Sequence, residues 1–256
     1  MKKIKFFGLF VAGTLVLSCN NDDTSSNNQE AKLLPVKIVS KYQNEDSTID
    51  EYIDDFQYDN ENKLVKLIET SIESRYNGKL EYTFEYNGTE VTKIKQVHSY
   101  TFDGENPQTY SYTYTFAKTG NQIVVIETDQ DNDVDNYNLE INDKGYIIAD
   151  EDYKYTYDAK GNLIKRLSDF SDETFTYDDK NGVLKNMNLP QWLIEKVLGS
   201  YTNMYINNPV DMSYKDLEDP KYNENIKIKY QYNAQGYPVS AEMVGNSMNT
   251  VTIQYK

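Results

Sequence analysis

Cysteine is almost missing from these 256 residues: there is one, at position 19. Without a second thiol there is no disulfide framework, no thiolate-rich metal site and no redox pair. Histidine is equally scarce. His98 stands alone in the strand-like run Val97-His98-Ser99-Tyr100, and no Gly-x-Ser-x-Gly elbow presents a serine for it to activate. There is no phosphate loop and no dinucleotide fingerprint. Carboxylates are abundant, but no pair of them stands out from the background. After residue 17 no apolar run approaches the roughly 20 residues that a spanning helix needs. Positive charge is in deficit, with 26 Lys and Arg against 41 Asp and Glu. These absences argue against an enzyme, against a resident cofactor and against a nucleic-acid partner, since a polyanion is repelled by such a chain.

What is present begins at the N-terminus. Lys2, Lys3 and Lys5 precede an apolar stretch from Phe6 to Leu17, which is too short to span a bilayer and has the layout of a signal peptide. The boundary Val16-Leu17-Ser18-Cys19 resembles the lipobox of bacterial lipoproteins. That resemblance implies cleavage after residue 18, acylation of Cys19 and a membrane-lipid partner reached through more than one acyl chain. Loss of the leader takes three lysines and leaves 23 basic and 41 acidic residues, a mature charge of −18. The acids in Asn20-Asn21-Asp22-Asp23 resemble the surface-export signal of Bacteroidetes lipoproteins, which implies an outer-membrane lipoprotein exposed at the cell surface. Residues 19–30 hold no apolar residue after the cysteine and read as a flexible acidic tether. Residues 31–256 are of a size for one domain.

Within that domain a unit recurs: aromatic, any residue, aromatic, a polar turn with Gly or Asn, then an aliphatic strand. The clearest copy is Tyr155-Thr156-Tyr157-Asp158-Ala159-Lys160-Gly161-Asn162-Leu163. Further copies centre on Tyr58, Tyr86, Phe116, Ile141, Tyr177 and Tyr232, at spacings of 16 to 55 residues. Alternate residues of a strand share a face, so Tyr153, Tyr155 and Tyr157 form one stripe, and Tyr110, Tyr112, Tyr114 and Phe116 another. Asp158 or Asn233 can bond the backbone two residues on, and Gly161 or Gly236 supplies the positive φ that returns the chain. With flanking strands near 36–42 and 250–255, the expectation is an all-β antiparallel meander of consecutive β-hairpins, strongly twisted or curled, with one inserted helix. The copies resemble the YD repeats of Rhs-type shell proteins. A closer resemblance is to hairpin-built lipoproteins of gut Bacteroidetes with no established activity, so it implies fold and location alone.

The insertion reads as a helix near 188–199, capped by Asn188, with Pro190 in its first turn and Gly199 at its end. Leu189, Trp192, Leu193 and Val197 share one face. The stripe predicts a plug packed on the aromatic sheet. A second reading makes it a docking helix, with Trp192, Tyr201 and Tyr205 contacting an extracellular glycan or protein ligand. Asp129, Asp131, Asp133, Asp135 and Glu140 have the spacing of an EF-hand calcium loop, but Val134 stands where the turn glycine belongs and the flanks read as strands. A plain acidic hairpin loop has the same composition. Asp46-Ser47-Thr48 resembles a short O-glycan acceptor of Bacteroidetes secreted proteins. The functional expectation is a non-catalytic envelope lipoprotein that binds an extracellular ligand. The alternatives are a purely structural envelope component and a carboxylate-dependent hydrolase.

Overall fold

The computed structural model describes residues 32–44, 46–197, 204–244 and 250–256. The predicted signal peptide, the tether, Cys19 and Tyr201 lie outside them. The described chain is a meander of sixteen antiparallel strands. The first eight are β1 (Pro35–Gln43), β2 (Ile49–Tyr58), β3 (Leu64–Ile72), β4 (Tyr76–Asn87), β5 (Glu90–Phe102), β6 (Gln108–Thr119), β7 (Gln122–Asp129) and β8 (Val134–Ile141). The next eight are β9 (Ile147–Ala149), β10 (Lys154–Tyr157), β11 (Leu163–Leu167), β12 (Ser171–Tyr177), β13 (Pro209–Asp216), β14 (Glu224–Tyr232), β15 (Pro238–Val244) and β16 (Thr250–Tyr255). Each strand pairs with its sequence neighbours. β1 then pairs with β16, from Ile38 opposite Ile253 to Lys41 opposite Thr250, and the sheet closes into a barrel. The expected curled sheet thus has no free edge, which removes the edge-pairing hazard of an open meander.

The barrel has two unlike ends. Even-numbered strands finish, and odd-numbered strands begin, at the end we call the floor. Here four of the repeated turns share one chemistry. In 59–63 the Asp59 amide donates to the Lys63 carbonyl at 3.0 Å, and the Asn62 amide returns to the Asp59 carbonyl at 3.2 Å. The Asp59 carboxylate accepts from the amides of Glu61 and Lys63 at 2.8 and 2.9 Å. Asn62 takes the left-handed conformation at φ 63°. Asp158 does the same in its own copy, and Asn142 and Asn233 do it with an amide oxygen.

A second regularity explains why so many copies carry tyrosine. The hydroxyl of Tyr58 donates to the carbonyl of Pro35, and Tyr86 to Leu64, Tyr157 to Ile147, Tyr177 to Leu163, Tyr230 to Pro209 and Tyr255 to Pro238. All six bonds measure 2.6–3.0 Å. Every acceptor is the first residue of an odd strand, and every donor lies at or near the end of the even strand paired with it. The ring fills the interior while its hydroxyl satisfies a carbonyl that the turn leaves free. The two even strands without the latch, β6 and β8, carry Phe116 and Ile141 towards that end instead.

At those two strands the inserted helix enters. The helix α1 (Gln191–Val197) lies among buried side chains, and Gln191, Trp192, Leu193, Ile194 and Glu195 are all buried. It is therefore inside the barrel at the floor, rather than laid on one face of a sheet. Trp192 packs edge-on against Phe116 at 5.1 Å. Gln191 accepts from the Ile147 amide and donates to the Tyr157 hydroxyl. Glu195 meets Arg166, whose guanidinium also forks onto Glu173 and sits over the Tyr153 ring at 5.1 Å. The first turn starts at Pro190, whose carbonyl accepts from Leu193 and Ile194. Gly199 lies outside the described residues.

Barrels of sixteen strands are wide enough for an aqueous channel. Here Leu67, Ile94, Leu139, Ile147 and Leu193 are essentially inaccessible and fill the floor half. The outward faces carry charge in mid-strand: Lys66 pairs with Glu81 at 2.6 Å, Lys93 with Glu85 at 2.8 Å and Lys165 with Asp172 at 2.9 Å. A lipid-facing barrel needs the opposite arrangement, because a lysine at the bilayer midplane costs roughly 2–4 kcal/mol. The wall of this barrel is built to stand in water.

Candidate functional site

The end opposite the floor is the mouth, and its wall is tallest on β4, β5 and β6. Along one cross-strand row Gly78 faces Tyr100, and along the next Leu80 faces His98, which faces Tyr110. These side chains alternate with outward residues such as Lys79 and Ser99, so they project inward and upward past the packed floor. They line an open recess of about 380 Å³ with Tyr76, His98, Tyr100, Phe102, Tyr110 and Tyr112.

The rings are ordered by one another. Tyr100 lies 6.0 Å from Tyr110 with 13° between planes, and 6.0 Å from Tyr76 with 29° between planes. Phe102 flanks Tyr76 at 5.3 Å, and His98 flanks Tyr100 at 5.0 Å. The Tyr76 hydroxyl and His98 Nε2 are 3.1 Å apart. Gly78 makes this possible. A Cβ there would stand 2.5 Å from the Tyr76 hydroxyl and 2.6 Å from Ser71 Oγ. A glycine inside a strand commonly marks such a close approach, and here it gives the Tyr76 ring its bed. Phe102 and Tyr110 remain 45% and 38% exposed. A contiguous row of exposed rings is unusual on a water-facing surface and marks a contact site. The mouths of β-barrels are a common place for one.

Beside this platform, on β2 and β3, the inward face is acidic. Asp54 and Glu69 are directly opposed in the ladder, on the same cross-strand row as Leu80, His98 and Tyr110. Asp54 is only 6% exposed. Burial pushes its carboxyl up to about 8, with the Glu69 and Asp55 charges adding to the effect. Burial likewise raises Glu69 to about 7. Nearer the rim, Tyr52 donates to Glu73 at 2.9 Å, and burial together with that bond pushes the phenol up to about 12. Asn44 donates to one oxygen of Asp50 at 3.0 Å, while the other oxygen is buried without a hydrogen bond.

The residues singled out from the sequence fall elsewhere. Trp192 is 8% exposed and lines an internal cavity of about 130 Å³ with Phe116, Tyr137 and Leu193. Tyr205 is half-buried against the same core, and burial raises its phenol. Trp192 is thus buried at the floor and Tyr205 half-buried beside it, and neither lies in the recess at the mouth. Beyond Tyr205 the loop is tied down through Asn207 and Asn208, which bond Asn162 and Asp178 of two floor turns.

The five acids of the calcium spacing are not brought together. Asp129 starts a turn of the floor type, now at the mouth, and its carboxylate accepts from the amides of Asp131 and Asp133 at 2.8 and 2.9 Å. Asn132 supplies the positive φ at 67°. Asp135 and Glu140 then lie on opposite faces of β8, five residues or about 17 Å apart. Among the described residues no group of three or more His, Cys, Asp or Glu side chains is placed to hold a metal ion. In the Asp46-Ser47-Thr48 segment the carboxylate of Asp46 accepts from both the amide and the hydroxyl of Thr48.

The site that was missed had a signal. His98-x-Tyr100-x-Phe102 and Tyr110-x-Tyr112 are two alternating stripes on either side of a short polar loop, which is the pattern of one aromatic face across a hairpin.

No protein-family model matches the chain, and no curated protein matches it. Among solved structures it is similar to a porin-like protein from Bacteroides vulgatus, at 13% identity and a TM-score of 0.44, over 88% of this chain and 99% of that one. It is also similar to a porin-like protein from Bacteroides uniformis, at 12% identity and a TM-score of 0.40, over 87% and 98% respectively.

Proposed function

We propose that this chain is a non-catalytic envelope lipoprotein of the hairpin-repeat kind, held at an outer membrane by acylated Cys19, whose barrel binds an extracellular glycan at its mouth. The observation that carries the binding reading is the stacked row of Tyr76, Tyr100 and Tyr110, the first two half-buried and the last exposed, in an open recess. A pyranose presents a C–H face that packs on an aromatic ring, and hydroxyls at its edge that bond to phenols and imidazole. Tyr offers both kinds of surface at low entropic cost. Single-stranded nucleic acid also stacks on such rows, but a mature charge of −18 opposes it.

The described chain enters β1 at the floor, the end opposite the mouth. The charged outer wall agrees with attachment by acyl chains rather than by insertion of the barrel.

The test is a glycan array probed with residues 31–256, which hold all sixteen strands and both barrel ends. Binding that Tyr100→Ala abolishes while the melting curve stays cooperative supports the reading. An array with no hits, or hits insensitive to Tyr100, refutes it. In cells, Cys19→Ala should abolish incorporation of a fatty-acid label; the same label on the mutant would end the lipoprotein assignment.

A further inference from the structure

Next to the aromatic platform the wall changes character within two strands. Asp50, Asp54, Glu69 and Glu73 all belong to β2, β3 and the rim above them, and none of the four forms an ion pair among the described residues. The contrast with the far side of the interior is direct. There Arg166 neutralises Glu173 at 2.7 Å and meets Glu195 at 3.5 Å. Asp54 is the sharpest case: a residue 6% exposed, with no hydrogen-bond or ionic partner among the described residues, opposed by a second carboxyl in the ladder. Burying such a group without a partner is costly. Two strand spacings separate Glu69 from His98 along the shared row, about 10 Å. Leu80 stands between them on that row and no acid lines the recess itself, so only a ligand longer than one ring spans from the platform to the acids.

We infer that the mouth selects a saccharide bearing basic amines, with its rings on Tyr76, Tyr100 and Tyr110 and an ammonium group set against Glu69 and Asp54. This rests on the reading of the mouth as a glycan site and names the ligand class. Three observations converge on it. The rings accept either a neutral sugar face or a cation, because the face of an aromatic ring attracts positive charge. The unpartnered carboxyls lack a counter-ion that a ligand ammonium supplies. The chain's charge of −15, or −18 once the expected leader is lost, gathers cations to the mouth and turns away sulfated or uronic saccharides. The raised carboxyls are consistent with this, since each is a group that a neighbouring cation would return to its ionised form.

The experiment compares two probes that differ in charge and share their rings: a glucosamine tetramer and the N-acetylglucosamine tetramer. Each is titrated calorimetrically at pH 6.5 into residues 31–256 and into Glu69→Gln and Tyr100→Ala forms of that fragment. Glu69→Gln keeps the shape of the side chain and removes a carboxyl whose ionised form burial disfavours, so it should fold at least as well as the parent, and circular dichroism checks this. The inference expects the glucosamine tetramer to bind at least tenfold tighter than its acetylated counterpart. Glu69→Gln should erase that margin while leaving the weaker binding in place, and Tyr100→Ala should remove both. Equal affinity for the two probes, unchanged by Glu69→Gln, would overturn amine selection and leave the glycan platform standing. Binding of neither probe, together with an empty array, would remove the glycan reading and this inference with it.

Discussion

Asp54→Asn should make the protein more stable, and by an amount that depends on pH in a definite direction. The carboxyl of Asp54 is raised from 3.8 to about 8 by burial, with Glu69 next in importance. In the unfolded chain it ionises near 4. Between those values the barrel holds a proton that the unfolded chain releases, so each rise in pH favours unfolding. The stability associated with this group is complete below pH 4, declines from pH 4 to pH 8 and is level above. At pH 7 the loss is 1.36 kcal/mol for each of roughly three units, or about 4 kcal/mol. Glu69, raised from 4.5 to about 7, acts in the same direction. The two carboxyls titrate as a pair, so their separate losses do not add. Asparagine keeps the shape and removes the titration. An amide left without partners costs about 1–3 kcal/mol, but equally at every pH. The decisive quantity is therefore the change in Tm between variant and parent at pH 8, minus the same change at pH 4. For a domain of this size 1 kcal/mol moves Tm by about 2–4 °C, so that difference should be on the order of 10 °C in favour of the variant at pH 8. Differential scanning calorimetry measures it. A difference near zero, or one of the opposite sign, would refute the reading of Asp54 as a carboxyl buried without a counter-charge.

Three other expectations follow from the packing. Trp192→Ala removes the ring wedged against Phe116 and should cost about 3–5 kcal/mol, while the parent's tryptophan emission should be blue-shifted and poorly quenched by iodide; red, readily quenched emission would mean that the helix is not inside the barrel. Gly78→Val takes the bed from Tyr76, whose hydroxyl would stand 2.5 Å from the new Cβ, so glycan binding should fall at least tenfold with little loss in Tm; unaltered binding would show that Tyr76 is no part of the platform. Tyr177→Phe deletes the 2.6 Å latch to the Leu163 carbonyl and should cost about 1–3 kcal/mol by urea titration, whereas Phe116→Tyr, on a strand that never had the latch, should gain nothing.

The hairpins could be read from the chain because they are local. A turn such as 158–162 writes its own hydrogen bonds in Asp158 and its own φ in Gly161, and the aromatic stripe before it fixes the inward face. The helix was equally visible, from Pro190 and the spacing of Leu189, Trp192 and Leu193. Closure was not visible, because pairing of β1 with β16 joins residues more than 200 positions apart and neither strand carries a mark that names its partner. Whether a strand such as Lys37–Lys41 is an edge or a seam depends on the summed twist of the other fourteen. The interior place of the helix shares that origin: an amphipathic stripe says that one face is covered, while the closed wall around it buries Gln191 and Glu195 as well. The calcium spacing has a local origin. Asp129-x-Asp131-Asn132-Asp133 is the same turn as Asp59-x-Glu61-Asn62-Lys63, with the first carboxylate already occupied by backbone amides.

The carboxyls at the mouth were hidden among 41 acids, and only the register separates them from the rest. On the outer wall a carboxylate meets lysine across the ladder, as Glu81 meets Lys66 and Asp172 meets Lys165. Inside, at the floor, Glu195 and Glu173 share Arg166. Asp54 opposite Glu69 breaks both rules at once, since two like charges directly opposed on one face of an antiparallel pair are destabilising. Asparagine or glutamine would fit either position and relieve the repulsion. A departure from local consistency that a single conservative change would cure, beside the aromatic recess at the open end of the barrel, is the interaction that the proposed ligand is inferred to complete. The same reasoning leaves the floor to stability: there the tyrosine hydroxyls, the turn carboxylates and Arg166 meet partners supplied by the chain itself.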